Sequence, residues 1–148
     1  MPVAIEIEGL DELQAKFAQS PEIVGEELSH ATKQAGAGII KEEVVQAPHD
    51  SGRLQQSIKM EFEPIQVTVW PDVEYAKYVV SGTKPHTPPV GALEAWARRH
   101  GVNPYAVQRA IKMHGTKPNN FVQRTRGGIA GFVQDLFKIA RKNIIERL

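Results

Sequence analysis

Between Ser57 and Pro71 the spacing of apolar residues switches period, and that switch limits the fold more than any other feature. Ile58, Met60 and Phe62 alternate with Lys59, Glu61 and Glu63, and Val67 and Val69 alternate with Gln66, Thr68 and Trp70. Period-two alternation is the pattern of a half-buried strand, and Pro64 between the two runs predicts a β-hairpin. On either side the period is helical. Upstream, Val24, Leu28, Ala31, Ala35 and Ile39 fall on one face of a helix. It is expected to begin at Pro21 with Ser20 as its cap and to stop near Gln46, before Pro48. Gly36 and Gly38 each weaken such a helix by up to about 1 kcal/mol relative to Ala, a cost that tight packing against a neighbour would justify.

Downstream, Ile129, Phe132, Val133, Leu136, Phe137, Ala140 and Ile144 make one stripe opposed by Lys138, Arg141, Lys142 and Glu146. This predicts an amphipathic helix over 131–148. "PPVGALEAWARRHG" and "NPYAVQRAIKMHG" read as two shorter helices stopped by Gly101 and Gly115, the second opened by an Asn103 cap and Pro104. "VAIEIEG" at 3–9 reads as a short strand, and "LDELQAKFA" as a helical turn or two. "EYAKYVVSGT" fits either a strand or a helical turn. The expectation is α+β: one domain spanning 1–148, a small, mainly antiparallel sheet, a long N-terminal helix, a helical pair and a C-terminal amphipathic helix.

With 148 residues, 41% of them apolar, the chain can bury a core without staples. There is no cysteine, so disulfides and thiolate metal sites are excluded, which suits a reducing cytoplasm. No apolar run approaches the roughly 20 residues that a bilayer crossing needs, and the acidic start "MPVAIEIEGLDE" is unlike a secretory signal. The net charge of +1 conceals an asymmetry. Residues 1–83 carry 6 Lys/Arg against 14 Asp/Glu, and residues 84–148 carry 12 against 3. Folding can mix these charges evenly. Alternatively it leaves an acidic and a basic patch, and two complementary patches suit head-to-tail packing of copies or, for the basic one, contact with nucleic acid.

Enzymatic motifs are not evident. In "HDSG", His49, Asp50 and Ser51 are adjacent, so they cannot aim at one another as a triad requires, and Asp50 or Ser51 is expected to cap or turn the chain. The five histidines include no i, i+4 pair. Glu26-Glu27 and Glu42-Glu43 are expected on an exposed helix face, with no isolated acid in an apolar setting. Gly-Thr-Lys-Pro occurs twice, at Gly82-Thr83-Lys84-Pro85 and Gly115-Thr116-Lys117-Pro118, 33 residues apart. It is not a phosphate loop, because the order is wrong and proline removes a backbone donor. The halves otherwise differ, so it is not a true repeat either. Each copy is read as a glycine turn leaving a helix or strand, and the two loops are expected near each other on one rim. Around them Arg98, Arg99, Arg109, Lys112, Arg124 and Arg126 interleave with Trp96, Tyr105 and Phe121. This basic 84–126 segment is the candidate DNA-facing surface, and a DNA-binding or packaging accessory module that uses it is the alternative function.

Three segments taken in order carry a resemblance. "APHDSGRLQQSI" (47–58), "VEYAKYVVSGTKPH" (73–86) and "GTKPNNFVQRT" (115–125) resemble the signatures of tail-completion and head–tail joining proteins of long-tailed bacteriophages, often called minor tail or phage morphogenesis proteins. Asp50, Ser51, Gly52, Arg53 and Leu54 match an Asp-Thr-Gly-x-Leu pattern, with Ser for Thr. Tyr75, Ala76, Tyr78, Val79, Gly82 and Thr83 match a Tyr-Ala-x-Tyr-Val-x-x-Gly-Thr pattern. Asn120, Phe121 and Val122 match a third, in which Arg124-Thr125 replaces Pro-Ala. Residues 89–114 correspond to a helical insertion of some members.

The resemblance implies a structural virion protein, not an enzyme, with no cofactor and no small-molecule substrate. It implies a homo-oligomeric ring at the neck, between the tail tube or terminator and the head connector, around a lumen where DNA passes. Assembly would take place in the host cytoplasm. The assembly-surface candidates are then Asp50, Ser51, Gly52, Arg53, Tyr75, Tyr78, both Gly-Thr-Lys-Pro loops and Phe121.

Overall fold

The computed structural model describes residues 10–148, so the strand expected at 3–9 lies outside the described residues. In order, the elements are α1 (Leu10–Gln46), α2 (Arg53–Gln56), β1 (Ile58–Glu63), β2 (Gln66–Pro71), α3 (Ala76–Ser81), α4 (Val90–His100), α5 (Pro104–His114) and α6 (Phe121–Arg147). The protein is α+β, with β1 and β2 forming a two-stranded antiparallel sheet among the described residues. Turn residues Pro64 and Ile65 connect the strands, as the alternation predicts. No helix among the described residues is long and apolar enough to cross a membrane.

Two helices begin earlier than the sequence signals suggest. The first runs straight through Pro21. A proline ring suits helical φ but removes one backbone hydrogen bond, at about 3 kcal/mol in a helix interior. The flanking Leu, Glu, Gln, Ala and Lys residues are strong helix formers on both sides. The last helix begins at Phe121, ten positions before the start at 131 expected from the apolar stripe, with Asn120 Oδ1 accepting from the Gln123 amide at 3.3 Å. Gly127, Gly128 and Gly131 are carried inside it. Glycine weakens a helix without ending it, and a Cβ on Gly128 would meet the Glu42 side chain, so here the small residue serves close approach. The ambiguous "EYAKYVVSGT" is helix α3, ended by Gly82.

Contacts divide the chain into two compact units. The first holds the described part of Met1–Gly38, Met60–Thr68 and Ala130–Leu148. Ala31, Thr32, Ala35 and Ala140 are buried in it, and Thr32 Oγ1 donates to the Leu28 carbonyl at 2.8 Å, so its polar atom is satisfied. A Cβ on Gly36 would meet Val67 Cγ2 at 2.6 Å and would press on the Met60 sulfur, which is the tight packing that this glycine predicted. Arg147 donates to Glu26 and to Glu27, both at 2.9 Å, and Asn143 Nδ2 donates to Glu27 at 3.0 Å. The Glu26-Glu27 pair is therefore engaged rather than simply solvated. The hydrogen bonds from Asn143 and Arg147 hold the Glu27 carboxyl below the ordinary range. The amphipathic stripe of α6 is narrower than the sequence implied. Ile129, Val133, Leu136, Ala140 and Ile144 turn inward, while Phe132 and Phe137 are exposed.

The second unit, Ile39–Lys59 with Val69–Ile129, is built on Ala47, Leu54, Ala76 and Phe121. Ile58, Val73, Val79 and Val80 pack against that cluster. Glu43, expected on a solvated face, is instead buried at 3% exposure, and its Oε1 has no hydrogen-bond partner. Burial pushes its carboxyl up from the ordinary value. In the folded chain Glu43 holds its proton to higher pH than it does unfolded, so its ionisation opposes folding as pH rises through the folded-state value. Replacing it by Leu should raise stability at pH 7 by roughly 1–3 kcal/mol, the usual cost of an orphaned buried polar atom. Thermal denaturation of Glu43→Leu against wild type at pH 7 and pH 4 checks this. The gain should shrink at the lower pH, and an equal gain at both would assign it to packing alone.

Candidate functional site: the twin-loop clamp and its aromatic groove

The two Gly-Thr-Lys-Pro loops pair with each other. One leaves α3 and the other leaves α5, and they meet as an isolated antiparallel bridge between Thr83 and Thr116. The Thr83 amide donates to the Thr116 carbonyl at 3.1 Å, and the Thr116 amide donates to the Thr83 carbonyl at 3.2 Å. Their hydroxyls lie 3.0 Å apart, within hydrogen-bonding distance. The glycines explain the spelling. Gly82 has φ 69° and ψ −177°, and Gly115 has φ 69° and ψ −159°. That region is essentially glycine-only. Each glycine also lies against the other loop's backbone. A Cβ on Gly82 would sit 2.9 Å from Pro118 N and overlap the Thr116 oxygen; one on Gly115 would sit 2.8 Å from Lys84 C and overlap the Thr83 oxygen. Glycine and threonine recur together because the same half-bridge is built twice.

The clamp is tied in on both sides. The Asn119 amide donates to the Val79 carbonyl at 2.8 Å, and the His86 amide donates to the Ile111 carbonyl at 3.4 Å. Both loops leave their lysines, Lys84 and Lys117, exposed. Beside them opens a groove of about 960 Å³ whose walls include Tyr75, Tyr78, Trp96, Ile111 and the two lysines. Tyr78 is 52% exposed and Trp96 39%, a large aromatic surface left facing solvent.

A second, more polar hollow of about 690 Å³ shares Tyr75 and Trp96 with this groove and reaches His49, Asp50, Ser51 and Arg53. Asp50 does not cap α2, whose N-terminal neighbour is Gly52 with no side-chain cap. Instead Arg99 from α4 grips Asp50 with two donors, Nε to Oδ1 at 2.9 Å and the second to Oδ2. His100 Nδ1 lies 3.8 Å from the same carboxylate, hydrogen-bonds the Trp96 carbonyl at 2.9 Å, and its ring stacks on Trp96 at 4.1 Å. The Arg99 hydrogen bond, more than any other influence, holds the Asp50 carboxyl below its ordinary value. A lowered folded-state value stabilises the fold at neutral pH and is lost as pH falls through it. Arg53 lies 5.9 Å from the Tyr75 ring centroid and Lys77 4.9 Å from that of Tyr78, both in cation–π range.

The segments singled out in the sequence thus converge, and their members divide into two kinds. Asp50, Ser51, Gly52, Arg53, Tyr75 and Tyr78 border the hollow or the groove, and Thr83, Lys84, Pro85, Thr116 and Lys117 line or rim it. Pro118 follows the clamp and is exposed. Phe121, expected at the assembly surface, is fully buried: it is the anchor on which the segments pack, because a large ring at the first turn of α6 meets Ala47, Leu54 and Ala76. Two of the candidate DNA-facing cations are engaged within the chain. Arg99 holds Asp50, and Arg124 donates to the Gln46 carbonyl at 3.0 Å and to Asn119 Oδ1 at 2.7 Å, closing the end of α1. Arg98, Arg109, Lys112 and Arg126 have no ion pair among the described residues.

Ile111 and His100 are site residues that the sequence did not single out, and Trp96, expected among the basic residues of a DNA-facing segment, lines the groove instead; only the closing of α4 and α5 onto the motif segments brings them there. Among the described residues no group of three His, Asp or Glu side chains is placed to hold a metal ion. What the arrangement offers is an exposed aromatic surface beside two exposed cations, Lys84 and Lys117. No family model, no curated protein and no solved structure matches this chain.

Proposed function

We propose that the chain is a structural assembly protein of a long-tailed bacteriophage that completes the tail and joins it to the head connector, working as a ring of copies around the DNA channel. What supports the reading is the convergence of the three resembling segments on one core. Ala47 and Leu54 from the first, Ala76 from the second and Phe121 from the third lie in a single cluster, and each segment also feeds the clamp, the groove or the hollow beside it. Motifs far apart in sequence that build one exposed aromatic surface suit recognition of a partner, since large aromatics with a charged rim are the usual anchors of protein interfaces.

Electron microscopy of lysates from phage lacking the gene tests it. Full heads beside finished but unattached tails, rescued by the wild-type chain, are expected. Normal virions without the gene would overturn the reading. Duplex binding by Arg98, Arg109, Lys112 and Arg126, measured across salt, would then be the function to test.

A further inference from the structure

One exposed element of the first unit has the chemistry that the groove lacks. At the tip of the β1–β2 hairpin, Glu61, Phe62, Glu63, Pro64 and Ile65 are all exposed, Ile65 at 73% and Phe62 at 37%. Neither Glu61 nor Glu63 has an ion pair among the described residues. The tip thus presents Ile65 in the turn, with Phe62 on one face of β1 and two carboxylates without ion pairs, Glu61 and Glu63, on the other. The groove is its complement: an apolar floor of Tyr78, Trp96 and Ile111, rimmed by Lys84 and Lys117, which are likewise without ion pairs.

We infer that the occupant of the groove is the hairpin tip of a second copy of this chain. Ile65 at the turn lies on the aromatic floor, the Phe62 face of β1 lies along one wall, and Glu61 and Glu63 on the other face meet Lys84 and Lys117. The inference rests on the assembly reading above and adds its contact. Tip and groove are different residues, so the contact is heterologous: each copy offers a tip to one neighbour and a groove to another, and such contacts close into a ring when the rotation allows. The floor accounts for association, since apolar area leaving water stabilises it. The charges set register and exclude a tip of the wrong sign. The charge asymmetry of the sequence acquires a local form here. Part of it is neutralised within the chain, at Asp50–Arg99 and Glu26/Glu27–Arg147, and the tip and the groove rim hold part of what remains.

Because the chain has no cysteine, introduced thiols report the contact without background. Ile65→Cys and Tyr78→Cys, purified separately and mixed with a short bis-maleimide, should give a cross-linked dimer about tenfold more abundant than Ile65→Cys mixed with Ile139→Cys. The chain carrying both Ile65→Cys and Tyr78→Cys should give a ladder. Adding Lys84→Glu and Lys117→Glu to the Tyr78→Cys chain should lower the dimer yield about tenfold, and Glu61→Lys with Glu63→Lys in the partner should restore it. Those four residues are exposed, so loss of folding is not expected, and circular dichroism checks it. Yields equal to the Ile139→Cys control, or no rescue by the reversed pair, would overturn the inference. Tails that need the gene while the cross-link stays at control level would remove this contact and leave the joining role. Cross-linking together with normal virions in the gene's absence would do the opposite.

Discussion

Gly115→Ala is expected to cost about 3 kcal/mol or more, although it adds one methyl group to a partly exposed loop. Two effects combine. The backbone at φ 69° and ψ −159° lies in a region that side-chain-bearing residues enter at about 1–3 kcal/mol. The new Cβ would also overlap the Thr83 carbonyl oxygen, with Lys84 C at 2.8 Å, and backbone cannot step aside as a flexible side chain can. The loop must move, and the bridge between Thr83 and Thr116 opens with it. Gly82→Ala meets the same pair of obstacles from the other side, against Thr116 and Pro118. The clamp makes a sharper demand on the double variant. Once either substitution has opened the bridge, the second has less left to break, so the combined loss should fall short of the sum. Urea denaturation of the two single variants and the double measures this. Additive losses would show that the loops are independent turns that merely share a spelling.

Phe121→Ala should be the most damaging single truncation, by about 3–5 kcal/mol. The ring is fully buried and joins Ala47, Leu54 and Ala76, small or branched neighbours that cannot swing in to fill the space it leaves. In a chain of this length each kcal/mol lowers the melting temperature by about 2–4 °C, so a drop near 10 °C is expected. Phe132→Ala provides the contrast. Phe132 belongs to the stripe read from the sequence but is 46% exposed, and its loss should stay within about 1 kcal/mol. Calorimetry of the two variants side by side decides between them. Equal melting temperatures would mean that Phe121 anchors the core no more than the exposed Phe132 does.

Much of this protein was legible in its sequence because the signals are local. A hairpin is written in period-two alternation around Pro64, and β1 and β2 form where it predicts. The Asn103 cap with Pro104, and the stops at Gly101 and Gly115, bound α4 and α5 because a cap is settled by a few adjacent atoms: Asn103 Oδ1 accepts from the Tyr105 amide at 2.9 Å. Other features are not local, and there the signals misled. Pro21 and the glycines of α6 resemble boundaries, yet a breaker is only a cost of a few kcal/mol, which the flanking helix and its packing offset. Glu43 belongs to a row of acids typical of a solvated face, and only packing buries it. Asp50 has the sequence of a capping residue and the structure of a partner to Arg99, 49 positions away. The repeated Gly-Thr-Lys-Pro shows the division most clearly. From the sequence alone each copy is a glycine turn; that each glycine is required by the other copy's backbone follows only once the two loops touch, because steric exclusion acts through space between atoms that the chain order keeps apart.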